Sequence, residues 1–154
     1  MPRKTYLGDV PPPMSSKRQR LTSLRSVPIF SALSLKELEL ILDLSVVREI
    51  RQDTQIIREG ATGNDFFVIE SGRVSVTKGK RKITELGPGD HFGELALLSR
   101  SLRRATVKAE TDVSVLVLSR WAFMGLLGQI PDMAIKLLKG AAERLRETQA
   151  IPID

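Results

Sequence analysis

The sequence predicts a mainly β domain with flanking helices: a jelly roll or double-stranded β-helix, with an N-terminal helical lead-in and C-terminal lid helices. Three observations carry that prediction. Between residues 46 and 119, apolar side chains alternate with polar ones in short runs such as RVSVTK and KITELG, the period of a strand with one face toward a core. Gly60, Gly63, Gly72, Gly79, Gly87 and Gly89 divide the runs at close spacing, as turns do in closed or two-sheet β architectures. No long helical pattern interrupts the series, which argues against a parallel α/β sheet.

Residues 1–26 carry Arg3, Lys4, Lys17, Arg18, Arg20 and Arg25 against Asp9 alone, so most of the +6 net charge belongs to this stretch. With Pro11, Pro12, Pro13 and the polar run MSSKRQR, it reads as a basic, disordered tail. Such a tail is a solvated leader, or a docking arm for an acidic partner, a nucleic acid or an anionic membrane. Membrane contact is expected only through it. RQRLTS resembles a basophilic-kinase site, a short pattern of low specificity.

The predicted domain spans residues 27–150. Ser34 followed by Glu37 has capping-box spacing, and Leu38, Ile41 and Leu42 follow at helical intervals, so a short amphipathic helix is expected over 35–44. VVREIR, QIIREG, DFFVIESG, RVSVTK, KITELG, RATVKAE and VSVLVLS are the expected strands. Ser119 can cap a helix over RWAFMGLL, in which Trp121 and Phe123 are expected as core anchors. Pro131 suits the first turn of the last helix. On that helix Met133, Leu137, Leu138, Ala141 and Leu145 share one face, with Lys136, Lys139, Glu143 and Arg146 turned largely away. The stripe either packs on the β unit or serves as a lid or dimer face.

Composition removes several functional classes. The chain has no cysteine, hence no disulfide and no thiolate metal site, and its single histidine, His91, is expected at a surface or turn. One imidazole supplies neither a metal cluster nor a Ser-His relay, so a cupin-like metalloenzyme is disfavoured; no enzymatic role and no cofactor are expected. MPRKTYLGDV lacks an apolar signal core and no stretch approaches membrane-spanning length, so a cytoplasmic location is expected. The chain closes on RETQAIPID, which leaves no room for a helix-turn-helix after the last helix, so no DNA-binding domain is expected.

The chemistry concentrates in FGELALLSRSLRRATVKA, residues 92–109. Gly93 before Glu94 suggests a tight turn into one helical turn, whose first N–H groups are unpaired and favour an anion. Arg103, at the start of the next strand, supplies a forked, permanently charged donor to that anion. Glu94 is itself anionic and is suited instead to accept a hydrogen bond from a sugar hydroxyl. A ribose hydroxyl and one singly charged phosphate describe a 3′,5′-cyclic nucleotide. A nucleoside triphosphate would call for GxxxxGK(S/T), which does not occur here. The bland alternative makes Glu94 and Arg103 a structural ion pair.

This stretch resembles the phosphate-binding cassette of the cyclic nucleotide-binding domain family, which includes the regulatory subunits of cyclic AMP-dependent kinase, catabolite activator proteins and nucleotide-gated channels. Phe92, Gly93, Glu94, Leu95, Ala96, Leu97, Leu98, Arg103 and Ala105 satisfy its pattern. IIREGATGNDFFVIESGRVSV is similar to the family's glycine-punctuated strands, and VPIFSALSLKELE to its lead-in. The resemblance implies that Glu94 binds the ribose 2′-hydroxyl and Arg103 the cyclic phosphate. Backbone groups of Gly93, Leu95, Ala96 and Ala105 would complete the anion site, and a lid would come from residues around Leu138–Leu145. The position after the arginine, usually small, is Arg104, which is either solvated, or a second phosphate contact or partial obstruction of the pocket. A Thr or Ser there accompanies cyclic GMP preference, so the ligand implied is cyclic AMP, with cyclic GMP second. RRAT matches a kinase consensus at Thr106, which a strand buried beside a pocket makes a chance match. The function implied is a ligand-sensing module acting on an effector domain or protein. The alternative is a degenerate fold of the same family that binds no nucleotide and serves as a scaffold.

Overall fold

A computed structural model of the chain describes residues 16–100 and 102–148. Helix α1 (Lys17–Arg25) leads through a 3₁₀ turn (Pro28–Phe30) to α2 (Leu35–Leu44). Eight strands follow: β1 (Val46–Ile50), β2 (Gln55–Ile57), β3 (Asp65–Ser71), β4 (Val74–Lys78), β5 (Arg81–Leu86), β6 (His91–Phe92), β7 (Thr106–Ala109) and β8 (Val113–Ser119). A 3₁₀ turn (Glu94–Leu97) separates β6 from β7, and α3 (Arg120–Gln129) and α4 (Pro131–Thr148) close the described chain. The strands form two antiparallel four-stranded sheets, ordered β1-β8-β3-β6 and β2-β7-β4-β5. This is the expected jelly-roll-like architecture with helices on both sides of the strands in sequence.

Side-chain alternation splits the core in two. On β3, Phe67 and Ile69 point between the sheets, while Phe66 and Val68 point toward the helices. On β8, Val113, Val115 and Val117 face inward, and Leu116 and Leu118 face the helices. A sheet buried on both faces needs apolar residues at consecutive positions, which is why DFFVIES and VSVLVLS lack the polar-apolar alternation of RVSVTK. The helix-side cluster centres on Phe30, which meets Phe66 edge-on at 5.8 Å and Phe123 at 6.0 Å. Burying each such ring contributes about 1.5–3 kcal/mol.

The helix expected over 35–44 is α2, and Ser34 and Glu37 cap it reciprocally. Ser119 caps α3 by accepting the Ala122 N–H. Four expectations differ. The tail expected to be disordered over 1–26 is helical from Lys17 to Arg25; residues 1–15 lie outside the described residues. Ser16 and Gln19 form a second capping box, Leu24 is buried in the helix-side core, and Arg20 donates two 2.9 Å hydrogen bonds to the buried Glu70 on β3. The basic composition hid a helix two of whose cations, Lys17 and Arg20, have tertiary partners in Glu39 and Glu70.

Trp121 is not a core anchor: it is 90% exposed, and Phe123 alone of the pair is buried. The face of α4 is also rotated from the one expected. Met133, Leu137 and Gly140 pack inward, while Leu138 and Leu145 are exposed. Gly140 sits so close to the lead-in that a Cβ would come within 2.7 Å of the Ile29 carbonyl oxygen. Close backbone approach there, rather than side-chain hydropathy, chooses the face. Lys136, expected to point away, instead donates to Glu37 at 2.7 Å. Lastly, His91 is neither a surface nor a turn residue. It lies on β6, paired in register with Val68 and 5.9 Å from the Phe66 ring.

Candidate functional site

The geometry begins at Gly93. Its φ of +81° is left-handed, and a Cβ there would lie 2.9 Å from the Asp65 carbonyl oxygen and 3.0 Å from Arg103 Nη1. Both the conformation and the crowding require glycine. The chain then turns through the 3₁₀ segment Glu94–Leu97, closed by the Ala96 N–H donating to the Gly93 carbonyl at 3.1 Å. The Ala96 N–H, expected to serve the anion, is thus committed within the turn. A 3₁₀ segment leaves its earlier N–H groups, here those of Glu94 and Leu95, without a partner inside the turn.

Arg103 is held by main chain on both sides. Its N–H donates to the Ala61 carbonyl (2.8 Å), its carbonyl accepts from the Gly60 N–H (2.9 Å), and Leu102 bridges to Thr62. Its guanidinium lies across Gly63, where any Cβ would overlap it, and donates through Nη2 to the Asp65 carbonyl at 2.9 Å. Burial pushes Arg103 below its ordinary pKa, against the opposing pull of the Asp65 carboxylate. Glu94 and Arg103 therefore have separate partners and do not form an ion pair with each other.

Between these elements lies a cavity of about 380 Å³. Phe92, Gly93, Glu94, Leu95, Ala96, Arg103, Arg104 and Ala105, singled out from the sequence, all line it. Phe92 stacks on Phe67 at 4.8 Å and forms part of the inter-sheet core below the floor. Val76, Thr84 and Leu86, on β4 and β5, supply a wall that the sequence reading had not assigned. Arg104 lies exposed at the cavity, beside the half-buried Arg103.

The residue missed was Arg144. It descends from α4 into the cavity, where its Nη1 pairs with Glu94 Oε1. Glu94 is only 5% exposed, and its second oxygen, Oε2, is buried without a hydrogen-bond partner. A signal for Arg144 existed: positions 133, 137, 140 and 144 recur at helical spacing, and a charged residue on the packed stripe of a helix calls for a buried partner. His91 also borders the cavity, with Nδ1 unpartnered. Burial first, and then the charge of Arg144, holds its imidazole below the ordinary 6.5, with Asp90 pulling the other way. Among the described residues no cluster of His, Cys, Asp or Glu is fit to hold a metal ion, and no helix is long and apolar enough to cross a membrane.

The arrangement can therefore hold a small ligand with one anionic group at Arg103 and one hydroxyl donor at Glu94 Oε2, against an apolar wall. Comparisons with known proteins give the family. The model of the family described as "Cyclic nucleotide-binding domain" matches residues 47–129. A cAMP-dependent protein kinase regulatory subunit of Hypocrea atroviridis is 39% identical over 110 residues, 71% of this chain and 24% of that protein. The chain thus spans about a quarter of that relative's length. Among solved structures, the N-terminal domain of a transcriptional regulator from Streptomyces coelicolor A3(2) aligns with a TM-score of 0.74 at 27% identity, covering 82% of this chain and 92% of that one. A cAMP-bound PfPKA-R aligns with a TM-score of 0.66 at 34% identity, covering 70% and 40%.

Proposed function

The chain belongs to the cyclic nucleotide-binding domain family, and from that premise we propose that it is a regulatory module that binds cyclic AMP in the cavity beneath α4. The observation that carries this reading is the Glu94 carboxylate: buried, occupied on one oxygen by Arg144 and unpartnered on the other. A buried unsatisfied acceptor costs about 1–3 kcal/mol, and a ribose 2′-hydroxyl donating to Oε2 removes that cost. The cyclic phosphate engages Arg103 from the cavity side, with the Glu94 and Leu95 N–H groups near it. Arg104 offers no hydroxyl for a guanine, which favours cyclic AMP over cyclic GMP.

Ligand sensing follows from the Glu94–Arg144 pair. The hydroxyl and the α4 guanidinium meet on one carboxylate, so ligand binds best when α4 is down. The ligand shifts α4 only by that difference in affinity. Output passes to an effector domain or protein. The resemblance to a kinase regulatory subunit supports a kinase as the effector.

Calorimetric titration of refolded, nucleotide-free protein with cyclic AMP and then cyclic GMP tests the reading. Saturable binding, tighter for cyclic AMP and weakened by Glu94→Gln for the ribonucleotide but not for its 2′-deoxy analogue, is expected. No heat with either nucleotide from folded protein would move the chain to the non-binding scaffold, a role favoured by the partners that Glu94 and Arg103 already have.

A further inference from the structure

A second concavity, of about 600 Å³, lies between the 62–64 loop and the first turn of α3, with Arg100 at its rim. Its lining residues include two guanidiniums, Arg100 and Arg120, and no carboxylate. Trp121 stands beside it with 90% of its surface exposed, and Met124, one turn further along α3, is 45% exposed. The Arg120 backbone is fixed, its N–H donating to the Asn64 carbonyl at 2.6 Å, yet the buried Nε of its side chain has no hydrogen-bond partner. The N-terminal end of α3 adds its own partial positive charge to the same place.

The geometry points to this groove as a docking site for an acidic segment of a partner protein, with carboxylates on Arg100 and Arg120 and an apolar side chain against Trp121 and Met124. Trp, Met and Arg are the residues that concentrate binding energy at protein interfaces, and an exposed indole loses little conformational entropy when covered. Charge selects the partner: two cations, a helix N-terminus and no compensating acid favour carboxylates. A nucleic acid would call for a longer basic track than the two arginines that line this groove. Gly63 belongs both to the groove and to the cradle of Arg103, so groove and nucleotide cavity are two sides of one loop.

Trp121 is the sole tryptophan of the chain, so its emission reports on the groove directly. The full chain is titrated with a short peptide alternating glutamate and leucine, with its lysine counterpart, and with an oligothymidylate. The expected result is a saturable blue shift with the acidic peptide alone, its affinity falling about tenfold in Arg100→Gln and further in the double variant with Arg120→Gln. Arg100 is an exposed loop residue, so its substitution leaves the fold intact. The basic N-terminal stretch also attracts acidic peptides, and dependence on these two arginines separates the sites. An equal shift with the lysine peptide, or an acidic-peptide affinity indifferent to both substitutions, overturns the assignment. Tighter binding of the oligothymidylate overturns it in favour of a nucleic-acid site.

Discussion

The two sides of the cavity beneath α4 are held by different kinds of bond. On the cassette side, main chain does the holding. Gly93 adopts a left-handed turn, the Ala96 N–H closes it, and the Arg103 backbone is bonded to the 60–62 loop in both directions. On the α4 side, the closest packing lies in the first half, through Met133, Leu137 and the approach of Gly140 to Ile29. Near the cavity, α4 reaches the cassette through the Arg144–Glu94 pair, and Leu145 beside it is 64% exposed. A surface held by backbone hydrogen bonds keeps its shape whatever occupies it. A helix end that meets the cavity through a side-chain pair responds when that pair gains or loses a third member.

The largest way to break this contrast is to remove what anchors the helices. Phe123→Ala leaves a void beside Phe30 and is expected to cost about 3–5 kcal/mol of folding stability, read by denaturant unfolding. A much smaller loss would mean that the helix-side core repacks and is not the firm half described. Next is Arg103→Ala, expected to cost about 1.5–3 kcal/mol of nucleotide affinity, the worth of a charge-assisted hydrogen bond. Its unfolding midpoint should also fall, because the bond from Nη2 to the Asp65 carbonyl is lost, so affinity is read under conditions where the variant is folded. Unchanged affinity would remove Arg103 from the site.

Arg144→Ala sharpens the comparison within one helix. Amide exchange should quicken by about tenfold over the end of α4 beyond 141 and stay unchanged over 133–140, the signature of local rather than global opening. Uniform quickening would abolish the distinction between the two halves. The smallest expected effect is one of pH. His91 has a folded pKa below its unfolded value of 6.5, so the unfolded chain takes up the proton first. The corresponding stability is fully present above 6.5 and is lost as pH falls through the window beneath it. His91→Gln should flatten that part of the stability profile, and an unaltered slope would assign it to other groups.

Capping and turn chemistry were legible because they are local. Ser34 with Glu37, Ser119 before α3, and Gly93 before Glu94 each act within four residues, and each is found where the spacing placed it. Seven of the nine cassette residues named from the sequence, and Arg104 with them, line one cavity. What failed was judged by composition. The basic stretch before Val27 reads as a solvated tail until Glu70, fifty residues away, is seen to accept both hydrogen bonds from Arg20. Trp121 reads as core because indoles are usually covered, yet Ser119 starts α3 in a phase that turns Phe123 inward and Trp121 out.

By itself the sequence determined the strand runs, the caps, the left-handed glycine turn and the order of cassette residues, since all of these depend on interactions between near neighbours. Only the tertiary structure decided which face of α4 packs, and with it that Arg144 meets Glu94. That choice depends on a glycine fitting against the Ile29 backbone more than a hundred residues earlier. Helical periodicity narrows a buried face to a range of phases, and the surface it meets selects one of them.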